Sequence, residues 1–119
     1  MRRTMLKSKI HMAVVTDSLI EYEGSLALDR ELMDAANMIP YERIFVADVE
    51  NGNRFDTYLI EAERHSGDVI VNGAAARLVE KGDRIILFAY TEMDDETARQ
   101  YRPIKIFPSN GNRRFEVKR

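Results

Sequence analysis

Ile44-Phe45-Val46-Ala47-Asp48-Val49-Glu50-Asn51-Gly52-Asn53-Arg54-Phe55-Asp56-Thr57-Tyr58-Leu59-Ile60-Glu61-Ala62 contains two β-branched and aromatic runs joined at Asn51-Gly52. Asn and Gly both tolerate positive φ, so this pair predicts a tight reversal with strands at 44–49 and 55–62. The same vocabulary recurs on either side. Residues 10–16, 69–71, 84–90, 104–107 and 115–117 read as further strands, and Asn110-Gly111 marks a second hairpin. Helices are few and short. Asp29 can cap residues 30–37, with Pro40 just beyond their end. Residues 74–79 form one short helix closed by Lys81-Gly82-Asp83, and Asp94 or Asp95 caps a third running to Arg102 and stopped by Pro103. Many strands, few helices and frequent Gly-containing turns predict a mainly β fold, a small and mostly antiparallel barrel.

A length of 119 residues suits one domain spanning 1–119. The chain is 45% hydrophobic and 32% charged with a formal net charge of -2, and no basic stripe suited to nucleic acid runs along it. Arg113, Arg114, Lys118 and Arg119 gather only at the tail, where a solvated end is the expectation. The absence of Cys excludes disulfides, thiolate metal sites and a Cys nucleophile, and fits a reducing cytoplasm. The basic start has no apolar segment after it long enough for a signal peptide or a membrane span, so a cytoplasmic protein without membrane contact is expected. Two His without a tight His/carboxylate spacing give little support for a metal site.

The chemistry turns on Tyr22-Glu23-Gly24-Ser25. A Ser hydroxyl can attack the preceding carbonyl and convert the amide to an ester, and a Gly before it leaves the attack uncrowded and the backbone free. β-Elimination of that ester would end one chain at Gly24 and leave a dehydroalanine at 25 that hydrolyses to a pyruvoyl group. Gly-Ser alone is usually a turn. Its neighbours change the reading: Lys9-Ile10-His11, Val15-Thr16, Asn51-Gly52, Arg54, Thr57-Tyr58, Ala62-Glu63-Arg64, Asn72-Gly73-Ala74-Ala75-Ala76, Gly82-Asp83 and Met93-Asp94 all fall in register. Together, from Arg3 to about Pro103, these segments resemble the aspartate 1-decarboxylase family.

The resemblance implies a six-stranded double-psi β-barrel and a proenzyme that cleaves itself between Gly24 and Ser25 into segments 1–24 and 25–119. It implies that a pyruvoyl cofactor derived from Ser25, with no metal, decarboxylates L-aspartate to β-alanine and CO₂ through a Schiff base. The product would supply pantothenate and coenzyme A biosynthesis. Tyr58 would return a proton to carbon, and a phenol, titrating near ~10, is protonated at neutral pH. Thr57 would assist cleavage and contact substrate, although on a regular strand it faces away from Tyr58. A shared site therefore needs a bend or a subunit interface. Arg54 would grip the side-chain carboxylate, which a guanidinium fork holds better than an ammonium, and Lys9 would support the same anion.

Asn72 would aid cleavage while Gly73, Ala74 and Ala75 offer backbone to the substrate, although an Asn helix cap before an Ala run explains the same residues. His11 and Tyr22 would support the site, and His65 reads as a turn residue. The resemblance further implies a homotetramer with intersubunit sites. A maturation protein is an open possibility, and a non-catalytic β-barrel binding module is the alternative reading. Ala47 departs from the bulky Trp of some members, and the region after Pro103 matches poorly.

Overall fold

The computed structural model describes residues 1–119. Its strands are β1 (Arg2–Val14), β2 (Asp17–Leu19), β3 (Ser25–Asp29), β4 (Arg43–Asp48), β5 (Arg54–Ala62), β6 (Val69–Asn72), β7 (Arg84–Asp94), β8 (Ile104–Ser109) and β9 (Arg114–Lys118). Two short helices, α1 (Arg30–Ala35) and α2 (Asp95–Gln100), and a 3₁₀ helix (Gly73–Leu78) complete it. The mainly β expectation holds. The nine strands pair in the order β2-β6-β3-β5-β4-β7-β1-β8-β9, where the resemblance implied six. Short β2 and β9 extend the ladder at its two ends, and the ladder does not close through a pairing of those ends. It curls nonetheless. Thr16, just past β1, donates its N–H to the Val69 carbonyl at 2.8 Å and accepts from the Val69 N–H through Oγ1 at 2.8 Å, drawing the end of β1 onto the start of β6.

The core lies inside this curl. Ile10, Leu26, Leu28, Ile44, Leu59, Val71, Ile85, Leu87 and Ile106 have no exposed surface. They come from alternate positions of their strands, as the period of two requires. Leu32 and Met33 of α1 fill one end of the core, and Asp29 caps that helix by accepting from the Glu31 N–H.

Expected and observed elements differ mainly in extent. β1 begins at Arg2 rather than at 10, and β7 continues to Asp94 rather than to 90, because the two strands pair along their whole length, Arg2 with Asp94 through Val14 with Arg84. That pairing is non-local, and the polar half of β1 carries no apolar signal of its own. At the 44–62 hairpin only Gly52 has positive φ (+78°), whereas Asn110, Gly111 and Asn112 at the β8–β9 turn all do (50°, 66° and 64°). The expected helix at 74–79 is a 3₁₀ turn beginning one residue earlier, at Gly73. The third expected helix ends at Gln100, and Asp94 caps it by accepting from the Thr97 N–H.

Candidate active site

Ser25 opens β3 and is 3% exposed. It pairs in register with Asn72, the last residue of antiparallel β6, so the two side chains share a face. Asn72 makes no side-chain cap to the 3₁₀ helix that follows it. Its Nδ2 instead donates to Ser25 Oγ at 3.1 Å, and Ser25 Oγ donates to the Glu23 carbonyl at 3.3 Å. The helix-cap reading of Asn72 therefore yields to a contact with the Ser hydroxyl. Asn72 Oδ1, on the same amide, is buried with no partner. Buried polar atoms are rarely left so, and an orphan next to the Ser25 hydroxyl marks a polar site rather than a packing position.

Gly73 supplies the second half of the cradle. Its φ is +76°, and a Cβ built there would stand 2.6 Å from Gly24 Cα, 2.8 Å from Gly24 N and 3.2 Å from the Tyr22 carbonyl oxygen. Only glycine lets the 72–73 backbone press against the 22–24 segment this closely. The freedom expected of Gly24 belongs to Gly73 instead: Gly24 has no positive φ, and a Cβ there would meet nothing within 4 Å. Ala74 is exposed and Ala75 half-buried on the same turn, and the Tyr22 ring is 64% exposed beside it.

β5 lies parallel to β3 on the other side, with Leu26 level with Leu59. One residue earlier, Ser25 stands level with Tyr58. From Arg54 to Leu59 the exposure alternates, with Arg54, Asp56 and Tyr58 outward and Thr57 and Leu59 inward, and the alternation lapses at Ile60 and Glu61. Tyr58 stacks on Tyr41 with ring centroids 6.2 Å apart, while Thr57 is paired in register with fully buried Ile44. Thr57 and Tyr58 thus occupy opposite faces within one chain.

Arg54, Lys9 and His11 are gathered elsewhere on the sheet. His11 is level with Ile86, Ile86 with Ala47 and Ala47 with Arg54, a continuous row across β1, β7, β4 and β5. Lys9 stands one pleat along, level with Phe88 and Lys105. The Arg54 guanidinium and the Lys9 ammonium have no ion pair or hydrogen bond within the chain. Ala47, only 9% exposed, leaves the middle of this row low. The His11 ring meets Phe107 edge-on at 5.7 Å with Nδ1 buried and unpartnered. Burial first, and then the Lys9 ammonium, hold the His11 pKa below its ordinary value, so the imidazole is neutral at pH 7. His65 has positive φ (66°) in its turn, as expected.

On one face of β5, Arg54 and Tyr58 are four residues apart, about 13 Å at the rise of a strand. The cavities of the single chain lie away from Ser25; the one of about 290 Å³ is lined by Glu50, Asn51, Arg77, Leu78, Val79, Glu80 and Asp83.

A buried serine held by an asparagine amide, behind a glycine that admits no Cβ, defines a site for backbone chemistry at 24–25. Residues 1–115 match the family described as Aspartate decarboxylase. The chain belongs to that family. It is 50% identical over 113 residues to an aspartate 1-decarboxylase of Thermoanaerobacter pseudethanolicus, covering 95% of this chain and 97% of the relative. It is 49% identical over 117 residues to that of Clostridium kluyveri, covering 98% and 92%. For the Clostridium botulinum strain 657 protein of the same name the identity is 49% over 109 residues, covering 92% and 86%.

Two features of the site were not read from the sequence, the Gly73–Gly24 approach and the Tyr41–Tyr58 stack. Both are contacts between segments far apart in the chain and leave no local trace.

Proposed function

We propose that this chain decarboxylates L-aspartate to β-alanine and CO₂, feeding pantothenate and coenzyme A synthesis, after cleaving itself between Gly24 and Ser25. The observation that carries the proposal is the buried Ser25 hydroxyl, fixed by Asn72 Nδ2 at 3.1 Å next to the Gly24–Gly73 contact. In maturation, Ser25 Oγ attacks the Gly24 carbonyl carbon, and its proton passes to the departing Ser25 nitrogen. The C–N bond breaks as the ester forms. Asn72 Nδ2 orients the attacking oxygen, and its orphaned Oδ1 can accept from the amine released beside it. Loss of the Ser25 α-proton expels the Gly24 carboxylate, and water then replaces the nitrogen, which leaves as ammonia.

The residues around position 25 suit a pyruvoyl group: small backbone at Gly73, the Asn72 amide in register, and Tyr58 on the neighbouring strand one residue before the β3–β5 pairing begins. When present, that group supplies an electrophilic ketone whose neighbouring carbonyl withdraws electrons from the substrate. Tyr58 returns a proton to the substrate carbon once CO₂ has left. Arg54 binds the side-chain carboxylate through paired N–H groups, with Lys9 adding charge. The Gly73–Ala75 backbone lines the substrate's other side, with Thr57 as a contact to both scissile segment and substrate. Tyr22 and neutral His11 support the site.

Arg54 and Lys9 act on a Ser25 of another copy, in a homotetramer. Three features support this reading: the ~13 Å span along β5, the unpaired Arg54 and Lys9, and exposed Tyr22, Ile39, Tyr41 and Tyr90. A cytoplasmic setting and, for maturation, an accessory protein complete it; no helix is long and apolar enough to cross a membrane.

Intact-mass measurement tests the core of the proposal. Fragments 1–24 and 25–119 are expected, the larger one lighter by ammonia than a chain with free N-terminal Ser. Ser25→Ala should stay whole. If Ser25→Ala is cut as well as the parent, another residue attacks and the mechanism fails.

A further inference from the structure

Tyr58 carries a second tyrosine against its ring. Tyr41 sits in the turn between α1 and β4, and its ring stacks on that of Tyr58 with centroids 6.2 Å apart and planes 30° from parallel. The turn is Ile39-Pro40-Tyr41-Glu42, closed by the Glu42 N–H donating to the Ile39 carbonyl at 3.2 Å. Pro40 pre-sets the first bend, and Tyr41 follows with φ +71°. Gly or Asn normally fills the third position of such a turn, because a side chain is crowded at positive φ. A bulky aromatic there is strained.

Packing does not explain the strain. Tyr41 is 78% exposed and so buries little apolar surface. Other groups hold the turn. The Tyr41 N–H donates to the Leu59 carbonyl at 2.7 Å and the Leu59 N–H to the Glu42 carbonyl at 3.0 Å, tying the turn to β5 one residue past Tyr58. Glu42 Oε1 accepts from the Ile39 N–H at 3.1 Å, and its Oε2 meets Lys7 Nζ of β1 at 2.5 Å. None of these bonds uses the Tyr41 side chain, and a smaller residue at ease with positive φ would keep them all. What the ring adds is its contact with Tyr58. Tyr58 faces solvent from the outward side of β5, and a ring in that setting changes rotamer readily unless a neighbour holds it.

We propose that Tyr41 is a positioning residue for Tyr58: the rigid turn presents its ring as a wall that keeps the Tyr58 phenol in the rotamer from which it returns a proton. The consequence for turnover rests on the function proposed above.

The test compares Tyr41→Asn, which removes the ring and suits the left-handed backbone, with Tyr41→Phe, which keeps the ring. In fully processed protein, Tyr41→Asn should lower kcat by about 2- to 10-fold, the population shift that the usual worth of an aromatic pair allows. KM for aspartate and the denaturation midpoint should change little. The conservative Tyr41→Phe should restore the parent's kcat. In Tyr58→Phe, where no phenol is left to position, adding Tyr41→Asn should cost nothing further. Independently of turnover, the Tyr58 ring-proton resonances should carry the ring-current shift of Tyr41 in the parent and in Tyr41→Phe, and lose it in Tyr41→Asn. Resonances that do not move when the ring is removed overturn the stack. A Tyr41→Asn protein with the parent's kcat, or a loss that is the same with and without the Tyr58 hydroxyl, overturns the positioning. A loss of kcat that tracks lost stability or lost assembly overturns it as well. Should Tyr41→Asn not fold, Tyr41→Gly meets the same φ without a Cβ and carries the same expectations. Inactivity of every version, the parent included, would count against the proposed function, while the ring resonances still decide the stack.

Discussion

Thr57 and Tyr58 are neighbours in sequence and face opposite ways on β5. Of the two, Tyr58 lies on the outward face of β5, and the proposed proton-donor role falls to its phenol. Tyr58→Phe removes the hydroxyl and leaves the ring to stack on Tyr41. Maturation, which uses Ser25 and Asn72, should be complete, while decarboxylation should fall by about 10²–10⁴, the usual worth of a positioned general acid. Mass spectrometry confirms processing, and turnover is then measured on the same sample. Full turnover by a fully processed Tyr58→Phe protein would remove the phenol from the proton step.

At the scale of elements, the β8–β9 hairpin was legible as strands and a turn, but what ties it firmly to the rest was not. Asn112 is 2% exposed; its Oδ1 accepts from the Val14 N–H at 2.9 Å, and its Nδ2 donates to the Val14 and Gly67 carbonyls at 2.8 and 3.0 Å. Asn112→Ala strands the buried Gly67 carbonyl and removes the partner of two part-buried Val14 groups, a loss on the order of 1–3 kcal/mol. Chemical denaturation should show it, and because Asn112 touches no site residue, cleavage of the folded variant should match the parent. A variant that unfolds like the parent would mean that water replaces the amide. The Asn110-Gly111 turn was legible, because its residues announce positive φ locally. The staple was not, because Asn112 looks like any turn asparagine until Val14 and Gly67 are brought to it. β3 was missed for a related reason. Ser25–Asp29 is buried at every position, so it lacks the alternation that marks a half-exposed strand, and its Leu-Ala-Leu is equally at home in a helix. The two helix caps and the Asn51-Gly52 reversal were legible, being contacts between residues a few positions apart. At the site, residue identities were readable through the family resemblance, but their division between two parts of the sheet depends on strand register.

That division is a property of the whole molecule. One region holds Ser25, Asn72, Gly73 and Tyr58; another holds Arg54, Lys9 and His11 in register rows on β1 and β5. If the first region works against the second region of a neighbouring copy, two defects carried by different chains can cancel. Ser25→Ala cannot generate the cofactor but retains Arg54, and Arg54→Ala matures but has lost its grip on the substrate. Each alone should be inactive or nearly so. When the two are co-expressed and assemble at random, roughly a quarter of interfaces join an intact Ser25 to an intact Arg54, given heterologous pairing around a closed ring. Activity should return to about that fraction of the parent, with a KM like the parent's, because every restored site is complete. The double variant Ser25→Ala/Arg54→Ala co-expressed with the parent sets the scale, since it dilutes sites without complementing them. No recovery, in assemblies shown by native mass spectrometry to contain both chains, would mean that Ser25 and Arg54 serve one site from one chain.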